Sequence, residues 1–216
     1  MKKTAALTFV LIVANLGVGV GHAQASPITI AAITYDTQNF ADSLIGSLGS
    51  FTTSTGTSLA DAVTGPSVDD WAFSFDTPSY LYLAFTDNVP VNGLGNDFTF
   101  FEIGVPDNFG ISLTVGGPSV TISSVSTGFT QAQEFGINVA TLDLTLLGVA
   151  PGASIASLVV NMGPSFAGNA PAPTLGAAVA LNNAGVAPVP EPASVLLLAS
   201  GLVGACLRKF RGSRKS

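Results

Sequence analysis

The residues best suited to chemistry lie between Phe85 and Glu102, where oxygen-bearing side chains surround a glycine-rich stretch. Calcium takes about six to eight oxygen ligands, and glycines allow backbone carbonyls to approach the ion. The pattern predicts a calcium site, and the alternative is a solvated hairpin loop with an Asn92-Gly93 turn. The predicted metal ligands are Asp87, Asn88, Asn96, Asp97 and Glu102.

The charges are distributed unevenly along the chain. All seven lysines and arginines lie in residues 2–3 and 208–215, whereas the thirteen acidic residues lie between Asp36 and Glu191. The middle of the chain is therefore strongly acidic. Such a surface disfavours nucleic acid and anionic membrane surfaces, and it favours divalent cations and neutral or cationic ligands.

The missing residue types exclude most catalytic sites. The sole histidine, His22, and the sole cysteine, Cys206, lie in the outer segments. The middle of the chain therefore cannot form a Ser–His triad, a thiolate nucleophile, a Schiff base or a usual zinc site. A glycosidase needs only two carboxylates, so a carboxylate-only glycan hydrolase using Asp97 and Glu102 remains an alternative. The sequence favours a protein that is not an enzyme.

Aromatic side chains suggest a second kind of site, because aromatic rings form the usual platform on which sugar rings stack. Strict alternation predicts that Trp71, Phe73 and Phe75 share the buried face of one strand. Tyr80 and Tyr82 then lie on an outer strand face, where tyrosine tolerates water. These two tyrosines are the predicted ligand-binding residues.

The elements that would position these residues are short strands separated by Gly, Pro, Asn and Asp turns, with one helical turn at 59–63. This pattern predicts an all-β fold, an antiparallel β-sandwich of the jelly-roll type. The predicted strands cover residues 28–35, 71–76, 80–86, 98–105, 111–115, 120–125, 135–147, 155–162 and 175–181.

The segment FTDNVPVNGLGNDFTFFEIG, residues 85–104, resembles part of exported bacterial domains of jelly-roll, carbohydrate-binding-module character. Pieces at 139–155 and 172–182 add to the resemblance, which covers roughly residues 65 to 183. It implies the fold better than an activity, because jelly rolls host many functions. Related chains tend to carry an acidic residue near Leu175 or Gly176, and this sequence has none there.

The first 25 residues have the three parts of a secretory signal peptide. Lys2 and Lys3 precede an apolar run at 5–20, and Ala23-Gln24-Ala25 forms a cleavage site before Ser26. The mature protein is therefore expected to begin at Ser26, outside the cytoplasm.

The last residues form a sorting cassette. Pro190, Glu191 and Pro192 precede an uncharged run at 193–207 and a tail with five cations. The arrangement resembles the PEP-CTERM signal of bacterial surface proteins, which an exosortase recognises and cuts. The run predicts a single transmembrane helix of about 22 Å, short for a core of about 30 Å, with the basic tail on the cytoplasmic side. The alternative is an amphipathic or core helix.

The chain is thus divided into a signal peptide (1–25), a β-sandwich ectodomain (26–183), a linker (184–189) and a sorting signal (190–216). We expect a non-catalytic protein that is held transiently in the inner membrane of a Gram-negative bacterium. It is then released to the cell surface or extracellular matrix. The expected partners are the exosortase and the polysaccharide of an exopolysaccharide or biofilm matrix, and an adhesin for a protein partner is a further alternative.

Overall fold

A computed structural model describes residues 26–163 and 172–184, which lie within one compact unit, Ala25–Val186. In this part of the chain, no helix has the length and apolar character needed to cross a bilayer. The predicted transmembrane helix and the sorting residues Pro190, Glu191 and Pro192 lie outside the described residues. Ala23 and Ala25 of the predicted cleavage site lie outside them as well.

The described residues are mostly β-structure, as predicted. Their only α-helix, α1, covers Leu59–Val63 and begins at Ser58, whose Oγ accepts a hydrogen bond from the Asp61 N–H (3.1 Å). Two 3₁₀-helices cover Thr37–Asn39 and Leu144–Leu147. The strands are β1 (Pro27–Ile30), β2 (Ile33–Asp36), β3 (Ser43–Leu48), β4 (Thr52–Thr53), β5 (Ala72–Phe73), β6 (Tyr80–Ala84), β7 (Phe98–Ile103), β8 (Asn108–Ser112), β9 (Ser119–Ser123), β10 (Val125–Thr130), β11 (Gly136–Leu142), β12 (Ser157–Asn161) and β13 (Thr174–Ala180).

Two antiparallel sheets enclose the main core. One has the strand order β10-β11-β7-β13-β5-β4 and the other has the order β3-β6-β12-β8-β9. Phenylalanines fill much of the space between them, with Phe98 and Phe100 from β7 and Phe109 from β8 all fully buried. Leu81 and Leu83 of β6 contribute from the second sheet. The predicted alternation of β6 is confirmed, because Tyr80 and Tyr82 lie half-buried on its other face.

A second, smaller core lies on the outer face of the six-stranded sheet, under the hairpin of β1 and β2. Tyr35 of the hairpin meets the ring of Phe101 edge-on, with the ring centroids 5.6 Å apart. Ile30, Ile137 and Val179 are buried in the same cluster. All six residues of β7 are consequently buried, because β7 has a core on each of its faces.

The single strand predicted at 28–35 is wrong, because the chain reverses there. Ala31 and Ala32 have positive φ angles of 49° and 65° and join β1 to β2 as a two-residue turn. Glycine or asparagine usually marks such a turn, and the alanines gave no such signal.

The predicted orientation of Trp71, Phe73 and Phe75 is also wrong. Ala72 and Ser74 are the buried members of this segment, whereas Phe75 is 68% exposed. Ala72 belongs to the main core, where phenylalanines from other strands supply the volume. The aromatic side chains alternate with it and lie on the opposite side, with Trp71 packed against the second core.

Candidate functional site

The structure does not bring the five predicted calcium ligands together. Asp97 immediately precedes β7 and Glu102 lies near its other end. At about 3.4 Å per residue, five residues of strand separate them by roughly 17 Å. Within residues 26–163 and 172–184, no three acidic residues, histidines or cysteines lie close enough to hold a metal ion. The same separation prevents Asp97 and Glu102 from acting as a glycosidase pair, which requires about 5–9.5 Å.

Asp97 is a structural residue whose carboxylate accepts hydrogen bonds from N–H groups. It is fully buried. Its Oδ1 accepts hydrogen bonds from the Gly93 N–H (2.7 Å) and from Asn182 Nδ2 (2.8 Å). Its Oδ2 accepts one from the Leu144 N–H (2.8 Å). The carboxylate therefore joins the loop before β7, the 3₁₀-helix after β11 and the end of β13.

The remaining predicted ligands lie in two places. Asn96 is exposed, beside Asp97, whereas Asp87 and Asn88 lie near Asn39 and Asp42. Asn88 Nδ2 donates to Asn39 Oδ1 (2.5 Å), and the Asp87 N–H donates to Asp42 Oδ2 (3.3 Å).

Asp42 and Asp87 interact as a carboxyl pair. Burial raises the pKa of Asp87, and a hydrogen bond to Asp42 and the charge of Asp42 raise it further. Burial also acts to raise the pKa of Asp42, but hydrogen bonds from Thr86 and Asp87 outweigh it and lower that pKa. Asp87 is therefore the member of the pair that holds a proton more readily.

Glu102 lies at one end of the main core among polar groups from other elements. Its carboxyl accepts a hydrogen bond from Asn138 Nδ2 of β11, and Ser124 Oγ lies 3.5 Å from the same oxygen. Burial raises the pKa of Glu102 to about 7, and the charge of Asp107 adds to this effect, while the Asn138 hydrogen bond opposes it. Burial raises the pKa of Asp107 as well.

Glu102 and Asp107 border a groove of about 300 Å³, which we call the aromatic groove. Trp71 and Phe73 stack along it with centroids 5.8 Å apart, and Phe75 meets Phe73 edge-on at 5.0 Å. The groove is lined by Trp71, Phe73, Phe75, Glu102, Ile103, Gly104, Val105, Asp107, Phe135, Ala172 and Thr174. It therefore combines several aromatic rings with two carboxyl groups.

The sequence pattern does not predict this groove. The alternating aromatics at 71, 73 and 75 are a visible signal, but their alternation predicts that these side chains lie in the core. The predicted ligand-binding residues Tyr80 and Tyr82 do not line the groove. They lie on the outer face of the five-stranded sheet, where Tyr82 pairs with Gly46 of β3.

Comparison with known proteins identifies only the C-terminal segment. Residues 188–211 match the family described as the PEP-CTERM protein-sorting motif. The predicted sorting signal is thereby confirmed, and the protein is an exported substrate that an exosortase processes at the membrane of a Gram-negative bacterium. No curated protein and no solved structure matches the chain significantly.

Replacing Asp97 with asparagine is expected to destabilise the fold by about 2–4 kcal/mol. An amide retains one acceptor oxygen, but its NH₂ group faces at least one of the N–H donors, which is then buried without a partner. Urea unfolding followed by the fluorescence of the single tryptophan, Trp71, measures the change. Asp61→Asn, at the exposed start of α1, is the matched control and should cost much less. Equal losses in the two variants would contradict the role given to Asp97.

Glu102 is expected to make stability fall as the pH rises. A carboxyl whose native pKa is about 7 against an ordinary 4.5 binds its proton more tightly in the native state. The contribution of this bound proton to the free energy of unfolding is complete below pH 4.5 and is lost as the pH rises through 7. The loss amounts to about 3 kcal/mol. Glu102→Gln removes this dependence. Between pH 5 and pH 8, the unfolding free energy of the wild type should therefore fall relative to that of the variant. If the two unfolding free energies changed in parallel with pH, the raised pKa of Glu102 would be contradicted.

Proposed function

We propose that the β-sandwich is a non-catalytic, polysaccharide-binding domain of the cell surface or extracellular matrix, and that it binds sugar in the aromatic groove. The observation that carries the proposal is the row of rings from Trp71 to Phe75. Large aromatics left open at a concave surface are typical of ligand sites. An exported protein meets extracellular polysaccharide, and aromatic faces are the usual platform for sugar rings.

The state of the carboxyl groups supports binding rather than hydrolysis. A glycosidase places two carboxyl groups on either side of the scissile bond, with one as acid and the other as base or nucleophile. At the aromatic groove, Glu102 is 1% exposed and Asp107 is 9% exposed. The Glu102 carboxyl is also engaged by Asn138. Proton transfer to a glycosidic oxygen and attack on the sugar both need direct contact, which such buried groups do not offer, whereas their charge acts on a ligand in the groove at a distance.

We further propose that the sandwich is a jelly roll. The order β5-β13-β7-β11 in one sheet and β6-β12-β8-β9 in the other supports this assignment. From β5 to β8 the chain alternates between the sheets, and the last two strands insert between earlier ones, as in the paired Greek keys of that fold. Strands β3, β4 and β10 extend the edges.

Phe75→Ala is expected to weaken polysaccharide binding at least tenfold, about 1.4 kcal/mol, because it removes the most exposed ring of the groove. The exposure of this ring also means that the fold should tolerate the change. Binding of the mature protein, purified in mild detergent, to a panel of bacterial exopolysaccharides can be measured by affinity electrophoresis.

Tyr80→Ala is the control, since it removes a ring from the outer face of the other sheet. Loss of binding in Tyr80→Ala alone would move the site to the tyrosines predicted from the sequence. Release of reducing ends by the wild type would instead support the glycan hydrolase and overturn the non-catalytic assignment. Binding to a protein partner without any polysaccharide binding would favour the adhesin.

Calcium binding in the loop before β7 stays a prediction with a direct test. A ligand that binds only the native state stabilises it by about 2.7 kcal/mol at a hundredfold excess over its Kd. If calcium binds at Asp87 and Asn88, the Tm should rise with calcium, fall with chelator and become insensitive in Asp87→Asn. Asp61→Asn should retain the response. An unchanged Tm in the wild type would leave this segment as the alternative hairpin loop.

A further inference from the structure

We infer that the aromatic groove selects a sugar carrying a free ammonium group, an amino sugar, over a neutral or anionic one. The inference rests on the proposed function and names the ligand class of that same site. Two properties of the groove carry it: its carboxyl groups have no cationic partner within the described residues, and aromatic rings line it.

The carboxyl groups of the groove have no side-chain cation to balance them. Glu102 and Asp107 both line it, and they are close enough for the charge of Asp107 to act on Glu102. The chain has no lysine, arginine or histidine between residues 26 and 184. Asn138 and Ser124 supply hydrogen bonds to Glu102 but no charge. Glu102, whose pKa is about 7, is about half ionised at pH 7. A bound cation would favour its ionised form and relieve its repulsion with Asp107, whereas a uronic acid or a sulfated sugar would add to that repulsion.

The rings favour the same class of ligand. A cation is attracted to the face of an aromatic ring, most strongly to that of tryptophan, and sites for organic ammonium groups often combine such faces. Trp71 and Phe73 are nearly parallel, at 24°, and Phe75 and Phe135 remain 68% and 49% exposed. The apolar face of a sugar ring and an ammonium group on that ring can thus both be accommodated at the same surface.

The size of the groove suits a short piece of polymer. Its volume of about 300 Å³ lies at the lower end of ligand sites, which span about 300–1,000 Å³. The groove therefore recognises a small part of a longer chain, so that short oligomers are adequate probes.

The test compares glucosamine oligomers with N-acetylglucosamine oligomers of the same length, at pH 7, on the mature protein in mild detergent. Acetylation removes the charge and leaves the ring, so the wild type should bind the glucosamine oligomer at least tenfold tighter. Asp107→Asn and Glu102→Gln should each reduce this preference severalfold while binding of the acetylated oligomer persists. Phe75→Ala should weaken the binding of both.

The negative charge of the whole domain requires its own control, because it attracts any polycation. Asp61→Asn removes one exposed carboxylate outside the groove and should leave the preference unchanged. An equal reduction in Asp61→Asn and Asp107→Asn would show general attraction and would overturn the inference. Equal binding of the two oligomers, still sensitive to Phe75→Ala, would overturn the inference and leave the proposed function intact. If neither these oligomers nor the exopolysaccharide panel bound, both would be overturned.

Discussion

The lack of any cationic side chain between Ser26 and Ala184 is the constraint on which the rest of the structure depends. Carboxylates in this domain are held by N–H and O–H groups instead of by ion pairs. Asp97 accepts from three N–H groups, and Asp70 accepts from the hydroxyls of Ser54 and Thr57 at 3.0 and 2.9 Å. Hydrogen bonds to charged acceptors are roughly twice as strong as neutral ones. Aspartates therefore hold loops in place here, and an acidic composition is compatible with ordered loops between the strands.

Much of the fold could be predicted because several strands carry clear local patterns. Phe98–Ile103 and Tyr80–Ala84 are aromatic- or leucine-rich and bounded by turn residues, and both lie close to their predicted limits. Other features had no such pattern. Val125–Thr130 is an edge strand with no buried residue, so its composition resembles that of a loop. The turn at Ala31 and Ala32 depends on backbone angles that alanine rarely adopts, and only tertiary packing of the hairpin explains it.

The candidate site was harder to predict because residues close in sequence proved distant in space. Asp97 and Glu102 lie five positions apart, yet an extended strand carries them to different ends of the sandwich. The neighbours of Glu102 come from elsewhere, Asn138 from β11 and Ser124 from the connection between β9 and β10. Only the pairing of strands brings these groups together. The orientation of the Trp71 segment likewise depended on how much volume the other strands supply to the core, which no local pattern reveals.

The position of β13 has a consequence for how the protein matures. This strand is the last in the described part of the chain, yet it lies between β7 and β5 in the middle of its sheet. Its Val179 also bridges to Phe40, which is distant in sequence. The sheet cannot close until residues 174–180 have emerged from the translocation machinery. The sorting motif begins only a few residues later, at 188. Pairings between such distant segments form slowly. The strand that completes the six-stranded sheet and the sorting motif therefore leave the translocation machinery almost together, because only a short stretch of chain separates them.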